Sequence, residues 1–354
     1  MVEKTGKSHL CSTYSTCACT FPNHRNNCVI WNDTIFDKEI ENFNEGLKTP
    51  VSIRSSTQSI NVEDRFIKNK KIREKRSESF PPRRFIFIRH GERLDYVFPE
   101  WFEKMVTTKK YVLTDLNQPD SLRHFNRSLE EFKLDTPLTN TGSIMSQLIG
   151  KNLHENNLVP DFIYCSPALR CIQTASLICI GAESKTLIRI EPGLYEENIW
   201  VGNCNNISPC MTMEQLTRSS IYGIDYDYKP FIQINDLFSK PEDYNEYNAR
   251  IQMTIDNLIK NHDKDNSKKN KTFLIVGHAS TVDVAIGYFS YPKRKISREE
   301  GKDITKYIPY HGGVTLERNK NGDWEKNFQS LKCYSMYKFD NTCDTKFILR
   351  DIIR

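Results

Sequence analysis

Phe85-Ile86-Phe87-Ile88-Arg89-His90-Gly91-Glu92-Arg93 is four apolar residues that run straight into a charged turn containing a glycine. Consecutive aromatic and β-branched residues suit a strand buried on both faces, as in a parallel sheet covered by helices. Phe162-Ile163-Tyr164-Cys165 and Phe273-Leu274-Ile275-Val276 have the same texture. Between them, 142–157 reads as a helix, with Ile144, Leu148 and Ile149 at helical spacing, and 167–180 and 246–261 read as two more. Strands alternating with helices predict an α/β fold, a three-layer α/β/α domain around a mainly parallel central sheet. Polar patches at 264–271 and 318–321 read as loops, and no internal repeat is present.

In such a sheet, ligands bind beyond the carboxyl ends of the strands. The first strand ends in Arg89-His90-Gly91-Glu92-Arg93, the second in Ser166-Pro167-Ala168-Leu169-Arg170 and the third in Gly277-His278-Ala279-Ser280. Two histidines and three arginines therefore converge on one sheet edge. Each alone has a plain explanation as a structural or surface residue; their co-occurrence is what carries weight.

The residue types fit a phosphoryl group. Guanidinium forks pair with phosphate oxygens in a bidentate way and stay charged at any working pH. A neutral imidazole attacks phosphorus, and neighbouring arginines lower its pKa and keep it neutral. Gly91 permits a sharp turn and close approach of phosphate. Ser166 is placed to cap a helix with Pro167 at its first position, which aims the positive helix end, with Arg170 in the first turn, at the anion.

Working outward, Pro81-Pro82 marks a boundary. Residues 1–80 lack long apolar runs and are rich in Ser, Thr, Asn and Lys, so they read as a mostly disordered tail ahead of a domain at 81–354. Cys11, Cys17, Cys19 and Cys28 lie in that tail without a zinc-ligand spacing. Of 354 residues with a net charge of +5, the stretch 65–84 holds nine basic residues against Glu74 and Glu78, a local +7, so the other 334 sum to −2. The basic stretch reads first as a solvated linker, with membrane-surface contact as the lesser alternative; nucleic-acid binding as the main function would need interleaved aromatics, and Phe66 with Ile67 is thin support. The 11 cysteines, the absence of an apolar leader and the lack of any stretch near the roughly 18 residues of a membrane span predict a cytoplasmic protein with free thiols. Val2 and the C-terminal residues Asp351-Ile352-Ile353-Arg354 argue against N-myristoylation and prenylation.

At Arg89-His90-Gly91, Leu138-Thr139-Asn140-Thr141-Gly142, residues 166–175, Glu191-Pro192-Gly193-Leu194-Tyr195-Glu196 and Gly277-His278-Ala279-Ser280, the chain resembles the histidine phosphatase superfamily, over roughly residues 83–345. Arg89 through Asp95, with Phe98 and Trp101, look like the Sts-type branch, which comprises the suppressors of T-cell receptor signalling and the insect ecdysteroid-phosphate phosphatases. The resemblance implies a phosphoglycerate-mutase-like fold. It makes His90 the nucleophile that becomes phosphohistidine and Glu196 the proton donor, with Arg89, Arg93, Arg170 and His278 as the phosphate pocket. It also implies no metal or other cofactor and suggests a homodimer. Residues 1–80 match neither the ubiquitin-associated nor the Src-homology modules of Sts proteins, and 197–200 keep a Trp but otherwise diverge. The Trp-Asn that typically follows Arg-His-Gly in the mutase branch is absent, which favours hydrolysis.

A cysteine-dependent tyrosine phosphatase needs Cys, five residues, then Arg; Cys165 to Arg170 leaves four, and Cys19 to Arg25 lacks a preceding strand. A catalytically weak scaffold that binds phosphorylated partners is the remaining alternative, although neither the nucleophile nor a pocket arginine is missing. The expected substrate is a phosphorylated protein or small molecule: phosphotyrosine or another aryl phosphate, or a steroid-type phosphate. Phe98, Trp101 and Trp200 would wall its pocket or pack in the core.

Overall fold

The computed structural model describes residues 83–349 except 123–126, 199–207, 220, 265–268, 291–302, 329–330, 333 and 337–338. The chain divides into two units, Met1–Glu78 and Ser79–Arg354, and all described residues belong to the second. The expectations for the tail at 1–80, its cysteines and the basic residues at 65–76 lie outside the described residues, as does Trp200. Arg83 and Arg84, counted with the basic stretch, are strand residues. Arg83 is buried and donates to the carbonyl of His262 at 3.0 Å, and Arg84 pairs with Glu317 at 2.8 Å.

A six-stranded sheet runs in the order β3-β2-β4-β1-β5-β6, with β1 (Arg83–Arg89), β2 (Phe162–Cys165), β3 (Ile188–Ile190), β4 (Lys271–Gly277), β5 (Gly313–Arg318) and β6 (Trp324–Asn327). The first four are parallel; β5 and β6 form an antiparallel edge. Residues 318–321 are therefore the end of β5 and part of a hairpin turn, with Gly322 at φ 84°. The expected mainly parallel sheet is present, and the short strands β3, β5 and β6 complete it.

Alternation along the strands fills two cores. Phe85, Phe87, Phe273 and Ile275 face α3 (Tyr244–Asp263) and α4 (Ala279–Tyr288), packing with Ile251, Ile255 and Val282. Ile86, Ile88, Leu274 and Val276 face α1 (Asn140–Glu155) and α2 (Leu169–Gly181), packing with Ile149, Leu153 and Ile172. Each fully buried side chain of this kind stabilises by about 1.5–3 kcal/mol. Both faces are covered, which is why the strands read as unbroken apolar runs. No helix among the described residues is long and apolar enough to cross a membrane.

The helix starts follow local chemistry. Thr139 caps α1 through the Gly142 N–H, and Asp243 with Glu246 forms a capping box on α3. α2 departs from expectation. It begins at Leu169, and Ser166 does not supply its cap because the Ser166 hydroxyl is engaged with His278. The Leu169 N–H instead donates to Asp135 Oδ1 at 2.7 Å, and Asp135 pairs with Arg127 at 2.8 Å, both side chains fully buried. Arg170 nonetheless lies in the first turn.

α1 and α2 touch backbone to backbone. A Cβ on Gly150 would fall against the carbonyl oxygen of Ile178, and one on Gly181 against that of Gln147. Main chain cannot rotate away as a side chain can. Gly150→Ala is therefore expected to destabilise by about 1–3 kcal/mol, lowering the melting temperature by several degrees; an unchanged thermal melt would refute this packing.

Candidate active site

The register of the sheet assembles the site. Arg89 pairs with Gly277 across β1 and β4, and Cys165 pairs with Val276 across β2 and β4. The residues that follow these strands, His90, Ser166 and His278, therefore emerge at one level. Main-chain bonds continue the ladder, from His90 N to Gly277 O at 2.9 Å and from Ser166 N to Val276 O at 3.0 Å.

His90 is buried, and its Nδ1 lies 2.8 Å from the Gly91 carbonyl. A carbonyl oxygen only accepts, so Nδ1 carries the proton and Nε2 presents its lone pair. Arg170 Nε donates toward that Nε2 at 3.3 Å. Burial first, then the Arg170 and Arg89 charges, push the His90 pKa well below the usual imidazole range. The ring is thus neutral, with the residue type and protonation that nucleophilic attack on phosphorus requires. The Gly91 N–H donates to Thr174 Oγ1 at 2.9 Å, which ties the turn after His90 to α2.

The other expected residues surround this ring. Arg89, Arg93, Glu196 and His278 line, with His90, a cavity of about 510 Å³. Arg170 is fully buried and donates from Nη2 to Glu196 Oε1 at 2.5 Å. Arg93 is turned to Asp95, which accepts from Nε at 3.0 Å and Nη2 at 2.6 Å. His278 stands 5.4 Å from His90 between ring centroids. Its Nε2 is 3.0 Å from Ser166 Oγ, and its Nδ1, without a hydrogen bond among the described residues, lies 3.5 Å from Glu196 Oε2.

Opposed effects set the charges. Burial pushes the Glu196 carboxyl up, but the Arg170 guanidinium and its hydrogen bond, together with His278 and Arg93, outweigh it and hold the carboxyl at about 2. Burial drives His278 down to about 3 against the pull of Glu196. Burial also lowers Arg89 to about 10, still a cation at neutral pH. Arg89, Arg93 and Lys133 thus line the cavity with Glu196, Glu197 and the two neutral imidazoles, and Arg170 is buried against Glu196 and His90, a cationic surround that attracts a phosphate dianion.

The remainder of the cavity wall differs from the aromatic wall expected. Trp101 is buried against Phe132, and Phe98 packs on the same core. Leu134, Tyr244, Tyr247 and Ile304 line the cavity instead. Sequence reading also missed Thr174, Asp135, Tyr310 and His311. The Tyr310 ring lies 4.1 Å from the Arg89 guanidinium carbon, and His311 is buried at φ 58° with Nε2 at 2.8 Å from Ser146 Oγ. No local pattern marks a tyrosine or histidine more than 160 residues from its partner. Thr174 lies within the 166–175 motif, and Asp135 is a carboxylate just before the Leu138-Thr139 motif.

Comparisons with known proteins agree with this geometry. The family model for the histidine phosphatase superfamily (branch 1) matches residues 124–308, just over half of the chain. The matched stretch holds Arg170, Glu196 and His278, while Arg89, His90 and Arg93 precede it. Human ubiquitin-associated and SH3 domain-containing protein B is 32% identical over 258 residues, 70% of this chain and 38% of that protein. The ecdysteroid-phosphate phosphatase of Drosophila melanogaster is 30% identical over 247 residues, 69% of this chain and 31% of that protein. The chain thus spans less than two fifths of the length of either relative. The crystal structure of the ecdysone phosphate phosphatase of Bombyx mori, in complex with tungstate, is similar at a TM-score of 0.59 and 26% identity, covering 72% of this chain and 95% of that one. Both kinds of relative suggested by the Arg89–Asp95 stretch are among these matches. On these grounds the chain belongs to branch 1 of the histidine phosphatase superfamily.

Proposed function

We propose that the protein is a phosphomonoesterase that acts through a phosphohistidine on His90, on aryl phosphates such as phosphotyrosine or on a lipophilic small-molecule phosphate. The observation that carries this reading is the neutral His90 ring with its Nε2 unprotonated, set in a cavity that Arg89 and Arg93 also line, with Arg170 donating toward that Nε2. In the first step Nε2 attacks phosphorus and forms the N–P bond as the P–O bond to the alcohol or phenol breaks. The arginines hold the equatorial oxygens, and the leaving oxygen takes a proton. In the second step water attacks the phosphohistidine, releases inorganic phosphate and restores the imidazole. Glu196 is the group positioned to pass the proton in both steps. The tungstate bound by the Bombyx mori relative is a tetrahedral oxyanion like phosphate, which supports an oxyanion pocket here.

The substrate class is argued from the wall and the leaving group. Leu134, Tyr244, Tyr247 and Ile304 offer an apolar, aromatic surface beside the arginines. A phenol, with a pKa of about 10, needs less acid assistance than an alkyl alcohol. Cys165, Cys171, Cys179 and Cys210 are buried free thiols, which supports a reducing compartment such as the cytoplasm.

Three outcomes test the proposal. With EDTA present, the full chain should hydrolyse para-nitrophenyl phosphate, and His90→Ala should lose at least roughly 10³-fold of that activity. Substantial turnover by His90→Ala would sink the mechanism, and loss of activity to chelator in the parent would show a metal requirement. Glu196→Gln should cost far more on an alkyl phosphate than on para-nitrophenyl phosphate; equal losses on both would remove Glu196 as proton donor. The pH profile has a definite sign. Glu196 is ionised in the free protein above about 2, so the proton for a poor leaving group must arrive with the substrate monoanion. For an alkyl phosphate, kcat/KM should then fall as pH rises through the second phosphate pKa of about 6; a flat profile from pH 6 to 8 would contradict this.

A further inference from the structure

We infer that Tyr310 is a positioning residue for Arg89, setting the orientation in which that guanidinium meets the phosphate. This deepens the reading of the site above and rests on it.

Arg89 is held from two sides by one segment. Its guanidinium carbon lies 4.1 Å from the centroid of the Tyr310 ring, a cation–π contact. Its Nη1 donates to the carbonyl of Ile308 at 2.8 Å and, more weakly, to that of Thr305 at 3.4 Å. Nη2 makes no hydrogen bond among the described residues. With a flat face on the ring and one terminal nitrogen committed, the guanidinium keeps a single terminal nitrogen for an oxyanion. A planar fork pays little on binding only if its plane is already set, and the ring sets the plane. The Tyr310 ring also lies 5.7 Å from the His90 ring and 6.0 Å from the Tyr96 ring, so it stands beside both the arginine and the proposed nucleophile.

The segment that carries Tyr310 is itself anchored against the catalytic turn. His311 adopts φ 58°, in the left-handed region that disfavours a side chain, although glycines occupy the next two positions. Its buried ring bonds to Ser146 on α1 and fills the space over Gly91: a Cβ there would lie 2.7 Å from His311 Nε2. Beyond it, Gly312 O accepts from the Arg89 N–H at 2.9 Å. Tyr310 thus directly precedes two residues held against the His90 turn, which allows its ring to dictate where Arg89 points. A costly backbone angle kept beside a reactive group is consistent with that role.

The test uses the full chain, with tungstate as the probe. Tungstate affinity by calorimetry and the kinetics of para-nitrophenyl phosphate hydrolysis are measured for the parent, Tyr310→Phe and Tyr310→Leu. Loss of the ring in Tyr310→Leu should weaken tungstate binding about tenfold and raise KM alike, with a smaller effect on kcat. Tyr310→Phe keeps the ring and should stay within twofold of the parent. Tungstate binding by Tyr310→Leu equal to that of the parent would overturn the inference, as would a Tyr310→Phe variant as impaired as Tyr310→Leu. If Tyr310→Leu does not fold, Tyr310→Met takes its place under the same criteria. A parent that binds tungstate in a Tyr310-dependent way but hydrolyses nothing would refute the phosphatase reading and leave this one standing. A parent that neither binds nor hydrolyses would refute both.

Discussion

The parallel pairing of β1 with β4, and of β4 with β2, is the constraint on which the site depends. It places Arg89 beside Gly277 and Cys165 beside Val276. The next residue of each strand therefore leaves the sheet at a common level, so that residues separated by as many as 188 positions in the chain become neighbours. The pairing is fixed by burial on both faces. A one-residue slip of β1 would move Phe85 and Phe87 into the α1–α2 core and Ile86 and Ile88 into the α3–α4 core, disrupting both at once. Precision at the sheet edge is thus a by-product of core packing.

On that frame the chemistry is a balance of charges in a desolvated space. Arg89, Arg93 and Arg170 surround His90, whose proposed role requires a neutral ring, and burial together with these charges keeps it so. Glu196 shows the cost of the arrangement. The interaction with Arg170 that orients the carboxylate also holds it ionised in the free protein. On the proposed mechanism, a phosphate that enters would compete with Glu196 for Arg170, and its own negative charge would raise the affinity of that carboxyl for a proton. Binding of substrate and activation of the proposed acid would then be one electrostatic event.

A second layer, remote from the cavity, holds the first. Asp135 terminates α2 from outside the helix and is neutralised by Arg127, a buried pair whose disruption would leave an uncompensated charge beneath Arg170. Gly150 and Gly181 let α1 press on α2 without intervening side chains. Arg170 is consequently carried by a helix with little freedom to tilt, and Thr174 from the next turn of that helix holds the Gly91 N–H. The nucleophile and its arginine are thus referenced to one rigid element.

Local chemistry was enough to determine much of this. Each of the three central strands is an apolar run ended by charged or small residues, so their positions, and Arg89, His90, Arg93, Arg170 and His278 beyond them, could be read from the chain, while Glu196 came only from the resemblance to the histidine phosphatases. The helix expected at 142–157 lies at Asn140–Glu155 and that at 246–261 at Tyr244–Asp263, because periodicity marks the middle of a helix and caps decide its ends. Tertiary structure decided the rest. Ser166 had the residue type of a helix cap, yet His278 claims its hydroxyl and a distant aspartate supplies the cap. Trp101 had the type of a pocket wall, yet it fills the core. Arg83 and Arg84 looked like part of a solvated basic stretch, yet they are strand residues with their own partners. Tyr310 and His311 bore no mark in the sequence. Which partner a polar or aromatic side chain takes depends on what the fold brings within a few ångströms of it, and that proximity comes from sheet register and helix packing, not from neighbours in the chain.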